Sequence, residues 1–216
     1  MQFLDVHDFQ AAMGLPMPMV LQKMPNDLCQ FRRKFLEEEL DEYMDASNKL
    51  DLVKQVDSLI DLNYVIYGTM LFMGATSSKY DQLTDYAVFA GESPRPRDLQ
   101  YKPTANAYYP PMAFKIEAQQ AIDEFIALHF HGVLARAVNR LVHLAYLSHQ
   151  QMLSHDINGT LYTAIWNLVH SANMKKRRAL NDADSKRGCG QYDVVKPEGW
   201  QSPEPAIAEL LGVKPS

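Results

Sequence analysis

Cysteine is nearly missing from this chain: only Cys29 and Cys189 occur in 216 residues. A disulfide framework is therefore excluded as the main stabilising device, and neither cysteine has companions at metal-ligand spacing. Excess basic charge is missing too. Against 21 Lys and Arg stand 26 Asp and Glu, a net charge of −5, which argues against nucleic acid as a partner because that needs a strongly basic surface. No apolar run is long enough for a membrane. The uncharged stretch from Leu62 to Ser78 falls just short of a spanning helix and contains Asn63, two tyrosines and two glycines, so it reads as a buried core helix. The opening Met1-Gln2-Phe3-Leu4-Asp5 lacks the basic start and apolar core of a signal peptide, and a reducing cytoplasm is the expected compartment. A glycine-rich phosphate loop, a Ser-His-Asp or Cys-His arrangement and a Glu-x-x-His pair are all absent. Covalent catalysis and a di-iron bundle site consequently have no support.

What the chain does have is acid in one place. Glu37-Glu38-Glu39-Leu40-Asp41-Glu42 is answered some twenty residues later by Asp57-Ser58-Leu59-Ile60-Asp61. Both segments read as helix, on which residues three and four apart share a face. Glu38, Glu39 and Glu42 then point one way on the first helix, as Asp57 and Asp61 do on the second. Antiparallel pairing brings the five carboxylates together. Like charges that close cannot all stay ionised without a counter-charge, and the natural one is a hard divalent cation with oxygen ligands. Mg²⁺ is the expected ion, with Mn²⁺ as a substitute. Asp61 is set among Leu59, Ile60, Leu62, Val65 and Ile66, where an unpaired carboxylate is costly. The alternative for each acid alone is structural: Glu37, Glu38 and Asp41 solvated, Asp61 bonded to a neighbour.

The rest of the chain reads as helices joined by short connections. Phe3, Val6, Phe9 and Ala12 suggest an amphipathic helix over 1–12. Gly14, Pro16, Pro18 and Pro25 make an extended link, and Asn26-Asp27 is the expected N-cap of the glutamate helix. Arg33 with Glu37 and Lys34 with Glu38 have i/i+4 spacing. The second helix runs to about Gly74, and its tyrosines and methionines read as core. From Thr76 to about Thr163 an irregular part, Glu92 through Pro111, precedes a helical part. There Val133, Leu134, Ala137, Val138, Leu141, Val142 and Ala145 form an apolar seam for the bundle or a second subunit. His129, His131, His143, His149 and His155 fall in or near this region and read as structural or surface histidines. A last long helix is expected at about Leu161–Lys176, and the Gly- and Pro-rich tail from Gly188 as an extended wrap.

Several of these segments resemble a known family. Glu38-Glu39-x-x-Glu42 with an acidic pair ending in Asp61 is similar to the EExxE…ExxD signature of the all-α NTP pyrophosphatases, the MazG-like and phosphoribosyl-ATP pyrophosphohydrolase-like proteins. Asp57 through Thr69 resembles the family's "DALxDLxYVxYGT" helix, and Val6-His7-Asp8-Phe9 with Gly14-Leu15-Pro16 its opening. His170-Ser171-Ala172-Asn173-Met174-Lys175-Lys176 resembles "HRSNMxK", and Lys196-Pro197-Glu198-Gly199-Trp200 its "KPEGW" tail. These stretches occur in the family's order over roughly 1–75 and 165–212.

The resemblance implies an all-α, MazG-like helical bundle: one domain over 1–216 with a large, partly helical insertion at about 76–163. It implies hydrolysis of a nucleoside triphosphate at the α-phosphate to a monophosphate and pyrophosphate. Glu39, Glu42, Asp57 and Asp61 would hold the metal, with Glu38 as a further ligand or the general base. Asn173 and Lys176 fall where relatives touch phosphates or sugar, and Lys175 and Lys196 are further candidates for the substrate. Two departures bear on this. Ser171 stands where the family often has Arg, leaving Lys175 or Arg177 as substitutes. Asp57 and Asp61 are four apart, with Ser58 at the three-apart position. A homodimer or higher homo-oligomer is expected, since helices apolar on several sides would otherwise expose large patches. Deoxynucleotide-pool control, with dGTP or dATP as substrate, follows by analogy with forms carried by bacteriophages. The alternatives are a catalytically inactive helical module that binds nucleotide or protein, and a hydrolase of a related substrate such as phosphoribosyl-ATP.

Overall fold

In the computed structural model, residues 2–75 and 109–213 are described. The centre of the fold is a helix that is apolar almost all round. This helix, α3 (Leu52–Phe72), follows α1 (Gln2–Ala12) and α2 (Asn26–Asn48). Leu59, Ile60, Leu62, Ile66 and Met70 of α3 are fully buried, which requires neighbours on every side. Those neighbours are α1, α2, α5 (Leu134–Ser154), α6 (Gly159–Asn173) and α7 (Glu204–Leu211). Asp51 caps the start of α3 by accepting from the Lys54 amide at 3.1 Å, satisfying one of the donors a helix leaves open.

Phe3, Val6 and Phe9 of α1 are buried as their spacing requires, while Ala12 is exposed. At α2 the side-chain cap expected of Asn26-Asp27 is not formed. Pro25 occupies the cap position and its carbonyl receives the Cys29 amide at 2.9 Å. Asp27 accepts instead from the Gln191 amide group at 3.0 Å.

The helices α4 (Pro111–Phe130) and α5 form a hairpin joined by His131–Val133, and it packs on the α2–α3 pair. Ala137, Val138, Leu141 and Ala145 are buried within this chain, Leu134 and Val142 partly so, and only Val133 of the seam is exposed. The seam thus joins the bundle. The irregular part of the predicted insertion lies largely outside the described residues; its end, Pro110-Pro111, starts α4. Arg33 bonds Glu37 and Asp123, each at 2.9 Å, and Lys115 bonds Asp41 at 2.7 Å. Glu37 is therefore held by Arg33 of its own helix and by Gln119 of α4 at 3.3 Å, while Asp41 stays exposed beside Lys115.

The last long helix stops at Asn173, three residues before its predicted end. Beyond it, β1 (Arg177–Arg178) pairs antiparallel with β2 (Val194–Val195), Arg177 opposite Val195. The tail is an extended wrap only in part, because Glu204–Leu211 forms α7. The fold is all-α with this one small strand pair among the described residues. No helix there is long and apolar enough to cross a membrane.

Candidate functional site

Glu38, Glu39 and Glu42 of α2 meet Asp61 of α3 along one wall of a cavity of about 470 Å³. Glu39 and Glu42 are three apart and Glu38 and Glu42 four apart, so helical periodicity puts them on one side of α2. Glu39 is 6% exposed, and its Oε2 has no hydrogen-bond partner among the described residues. Burial, then the charges of Asp61 and Glu42, push its carboxyl well above the usual carboxylate range. Glu42 is raised as well, by burial first and then by Glu38 and Asp61, against the pull of Lys186. Asp57 does not line the cavity. One turn before Asp61, it keeps a buried Oδ1 without a partner among the described residues. Its carboxyl is raised by burial, Asp61 and Glu204, while Lys176 and Lys196 oppose that.

Two cations that the sequence reading did not single out complete this wall. The segment between β1 and β2 folds over α2 and places Lys186 and Arg187 on Glu38. Lys186 Nζ bonds Glu38 Oε1 and stands 3.9 Å from Glu42 Oε1. Arg187 Nε bonds Glu38 Oε2 at 2.7 Å, and its guanidinium lies 3.5 Å from the centre of the Phe35 ring. Burial opposes ionisation of Glu38, but Lys186 and Arg187 outweigh it and hold the carboxyl below its ordinary value. Glu38 is thus paired with these residues and not with Lys34. Behind Arg187, Asp193 is 1% exposed and accepts from Ser185 Oγ at 2.7 Å, Arg187 Nη1 at 3.1 Å and the Val194 amide at 2.9 Å. The only signal in the sequence was a Lys-Arg pair inside a run of Asp, Ser and Gly, which resembles any solvated loop.

Asn173, Lys176 and Lys196 also line the cavity. Trp200 arranges the two lysines: Lys196 Nζ lies 4.4 Å and Lys176 Nζ 5.9 Å from its ring, within cation–π reach. The indole N–H is anchored on the Ala172 carbonyl at 2.8 Å. Lys175 is exposed and outside the cavity, as is Ser171. Arg177 is exposed and pairs with both oxygens of Asp184 at 2.6 and 3.1 Å.

The opposite part of the cavity is apolar, with Val6, Phe9, Leu15, Val65 and Phe72 in its lining. Tyr64 also lines it and bonds His170 Nδ1 at 2.9 Å. Arg32 is buried there among aromatic rings. Its Nε donates to Thr69 Oγ1 at 2.9 Å and its Nη2 to the Val65 carbonyl at 2.6 Å. Burial lowers its pKa to about 9, which still leaves it charged at neutral pH.

Among the described residues, no three His, Cys, Asp or Glu side chains form a ready metal-ligand set as they stand. The donor chemistry nevertheless fits a hard cation. Glu39 presents a buried oxygen without a partner, beside Asp61 and Glu42, and oxygen donors of this charge suit Mg²⁺ or Mn²⁺. Two of the histidines have other contacts. His129 Nε2 accepts the Met24 amide at 2.9 Å, and His149 Nδ1 lies 2.7 Å from the Ala145 carbonyl.

Comparison with known families agrees with the all-α fold. Residues 6–80 match the family model of phosphoribosyl-ATP pyrophosphohydrolase. That family belongs to the MazG-like all-α NTP pyrophosphatase superfamily, and the matched segment holds most of α1, all of α2 and α3, and Glu38, Glu39, Glu42, Asp57 and Asp61. No curated protein and no solved structure gives a significant match. The match makes this segment similar to a pyrophosphohydrolase domain of that superfamily.

Proposed function

We propose that the protein hydrolyses a nucleoside or deoxynucleoside triphosphate between the α- and β-phosphates, in a reaction that depends on a divalent cation. Water adds to the α-phosphorus, the Pα–O bond to the β-phosphate breaks, and pyrophosphate leaves with the electron pair. One observation carries the reading: a single cavity joins an acidic wall, a rim of cations and an apolar end. A nucleoside triphosphate has the complementary parts.

Glu39, Glu42 and Asp61 are assigned the cation, which supplies charge neutralisation for the triphosphate and a more acidic water. Asp57 lies outside the cavity, so we assign it to balancing Lys176 and Lys196 with Glu204 rather than to the metal. Glu38, held ionised by Lys186 and Arg187, can accept a proton from the attacking water. Asn173, Lys176 and Lys196 orient the phosphate oxygens and offset the charge that develops on them. A second reading, phosphoribosyl-ATP as substrate, is favoured by the description of the matching family.

The test is release of pyrophosphate and monophosphate from each common NTP and dNTP and from phosphoribosyl-ATP. It is run with Mg²⁺ and with chelator, beside Glu39→Gln. Metal-dependent turnover that Glu39→Gln lowers by a factor of 10² or more is expected, on the scale of losing a group that stabilises transition-state charge. No turnover of any of these substrates with Mg²⁺ would overturn the proposal in favour of a binding module.

A further inference from the structure

Lys186 is an exposed residue that the fold nevertheless holds in one place. Its neighbours in the chain are both fastened to the buried Asp193, Ser185 by its Oγ at 2.7 Å and Arg187 by its Nη1 at 3.1 Å. The Ser185 oxygen also receives the Arg187 and Cys189 amides, each at 3.1 Å. An exposed ion pair on a free loop contributes little; here the backbone on both sides is fixed independently of the lysine. Its ammonium bonds Glu38 Oε1 and stands 3.9 Å from Glu42 Oε1. The other oxygen of Glu38 is held by Arg187 Nε at 2.7 Å, so both edges of that carboxylate are engaged. Glu39 is the opposite case. One residue on, its buried Oε2 has no partner among the described residues.

Formal charge points the same way. Five carboxylates meet at this wall: Glu38, Glu39, Glu42 and Asp61, with Asp193 behind them. Three cations face them, Lys186, Arg187 and the buried Arg32. Asp57 and Glu204 are set against Lys176 and Lys196, and Asp184 against Arg177. Five against three leaves an excess of two negative charges, which one divalent cation neutralises. A second would leave the cavity positive before any substrate arrives.

We infer that the Lys186 ammonium takes the place of a second divalent cation on the Glu38–Glu42 edge, so that the wall holds a single ion at Glu39, Glu42 and Asp61. It rests on the cation assignment made above and deepens it. An ammonium is a compact charge with three donors and no open coordination position, so it offsets charge but does not acidify water. Activation of the attacking water then falls to the one ion and to Glu38. Lys186 lines the cavity, where it is a positioning residue: it neutralises Glu38 and Glu42 and keeps them from collecting another metal.

The experiment counts Mn²⁺ bound per chain by equilibrium dialysis, without nucleotide, up to millimolar free ion. The proteins are the wild type, Lys186→Met, Lys186→Gln, Lys186→Arg, and Lys186→Met combined with Glu38→Gln, each confirmed folded by circular dichroism. The wild type should bind one ion. Lys186→Met and Lys186→Gln should each bind two, because Glu38 and Glu42 are then free to share a second. Lys186→Arg keeps the charge and should return to one. The combined variant should also bind one, since the new site needs Glu38. Two ions on the wild type, no gain in either neutral variant, or a second ion retained in the combined variant overturns the inference and leaves metal-dependent hydrolysis standing. A wild type that binds no Mn²⁺ overturns the cation assignment itself, and the inference with it.

Discussion

Glu39 is the residue at which stability and function oppose each other. A buried carboxylate facing Asp61 and Glu42 is easier to hold protonated than charged,. Its pKa is higher folded than unfolded, so its contribution to stability is full below the unfolded value and is lost as pH rises through the folded one. At neutral pH, without a cation, it therefore works against the fold. Glu39→Gln should raise the melting temperature in chelator by about 2–4 °C, what 1 kcal/mol produces in a chain of this size. The same variant should lose the further rise that Mg²⁺ gives the wild type. Differential scanning calorimetry with and without Mg²⁺ reads both effects, and a variant less stable than wild type in chelator would contradict this account.

At the scale of elements, the segment between β1 and β2 acts as a clamp fastened from within by Asp193. Removing one partner of a buried ion pair leaves the other charge uncompensated, at a cost of about 3–5 kcal/mol. Arg187 keeps Glu38 in the variant, so Asp193→Ala should loosen Arg187, open residues 179–193 to proteolysis, and destabilise the chain by less than that. Urea unfolding and timed limited digestion check this, and an intact segment in the variant would refute it. This clamp is also where sequence reading stopped. Glu38, Glu39, Glu42 and Asp61 were legible because a helix converts their spacing into a shared face. Asn173, Lys176 and Lys196 were legible only through the likeness of their surroundings to a family. Lys186, Arg187 and Asp193 had neither aid, since an irregular segment has no period linking spacing to direction. Asp57 stands one turn from Asp61, as its spacing requires, and is not part of the cavity lining.

For the molecule as a whole, buried histidines set a lower limit on pH. Burial, with the nearby charge of Arg140, lowers the pKa of His143 to about 4. Burial also lowers His129, His149 and His155. Each binds a proton more readily unfolded than folded, so stability falls as pH drops from the unfolded value near 6.5 toward the folded one. For His143 alone that amounts to roughly 3 kcal/mol between pH 7 and pH 4. His143→Leu should flatten this part of the acid limb, as urea unfolding at pH 7, 5.5 and 4.5 would show. An unchanged slope would mean that His143 keeps its proton in the fold.

The acidic wall of the cavity comes from α2 and α3, and its cations other than the buried Arg32 come from residues 176–196. A chain leaving the ribosome therefore acquires its negative wall long before the lysines and Arg187 that balance it. Until residue 196 has been synthesised and has folded back, Glu38 has neither Lys186 nor Arg187, and no phosphate rim exists. The proposed turnover would thus begin late in the life of the nascent chain, and a ribosome stalled before that point would carry a protein with the acids in place and no activity.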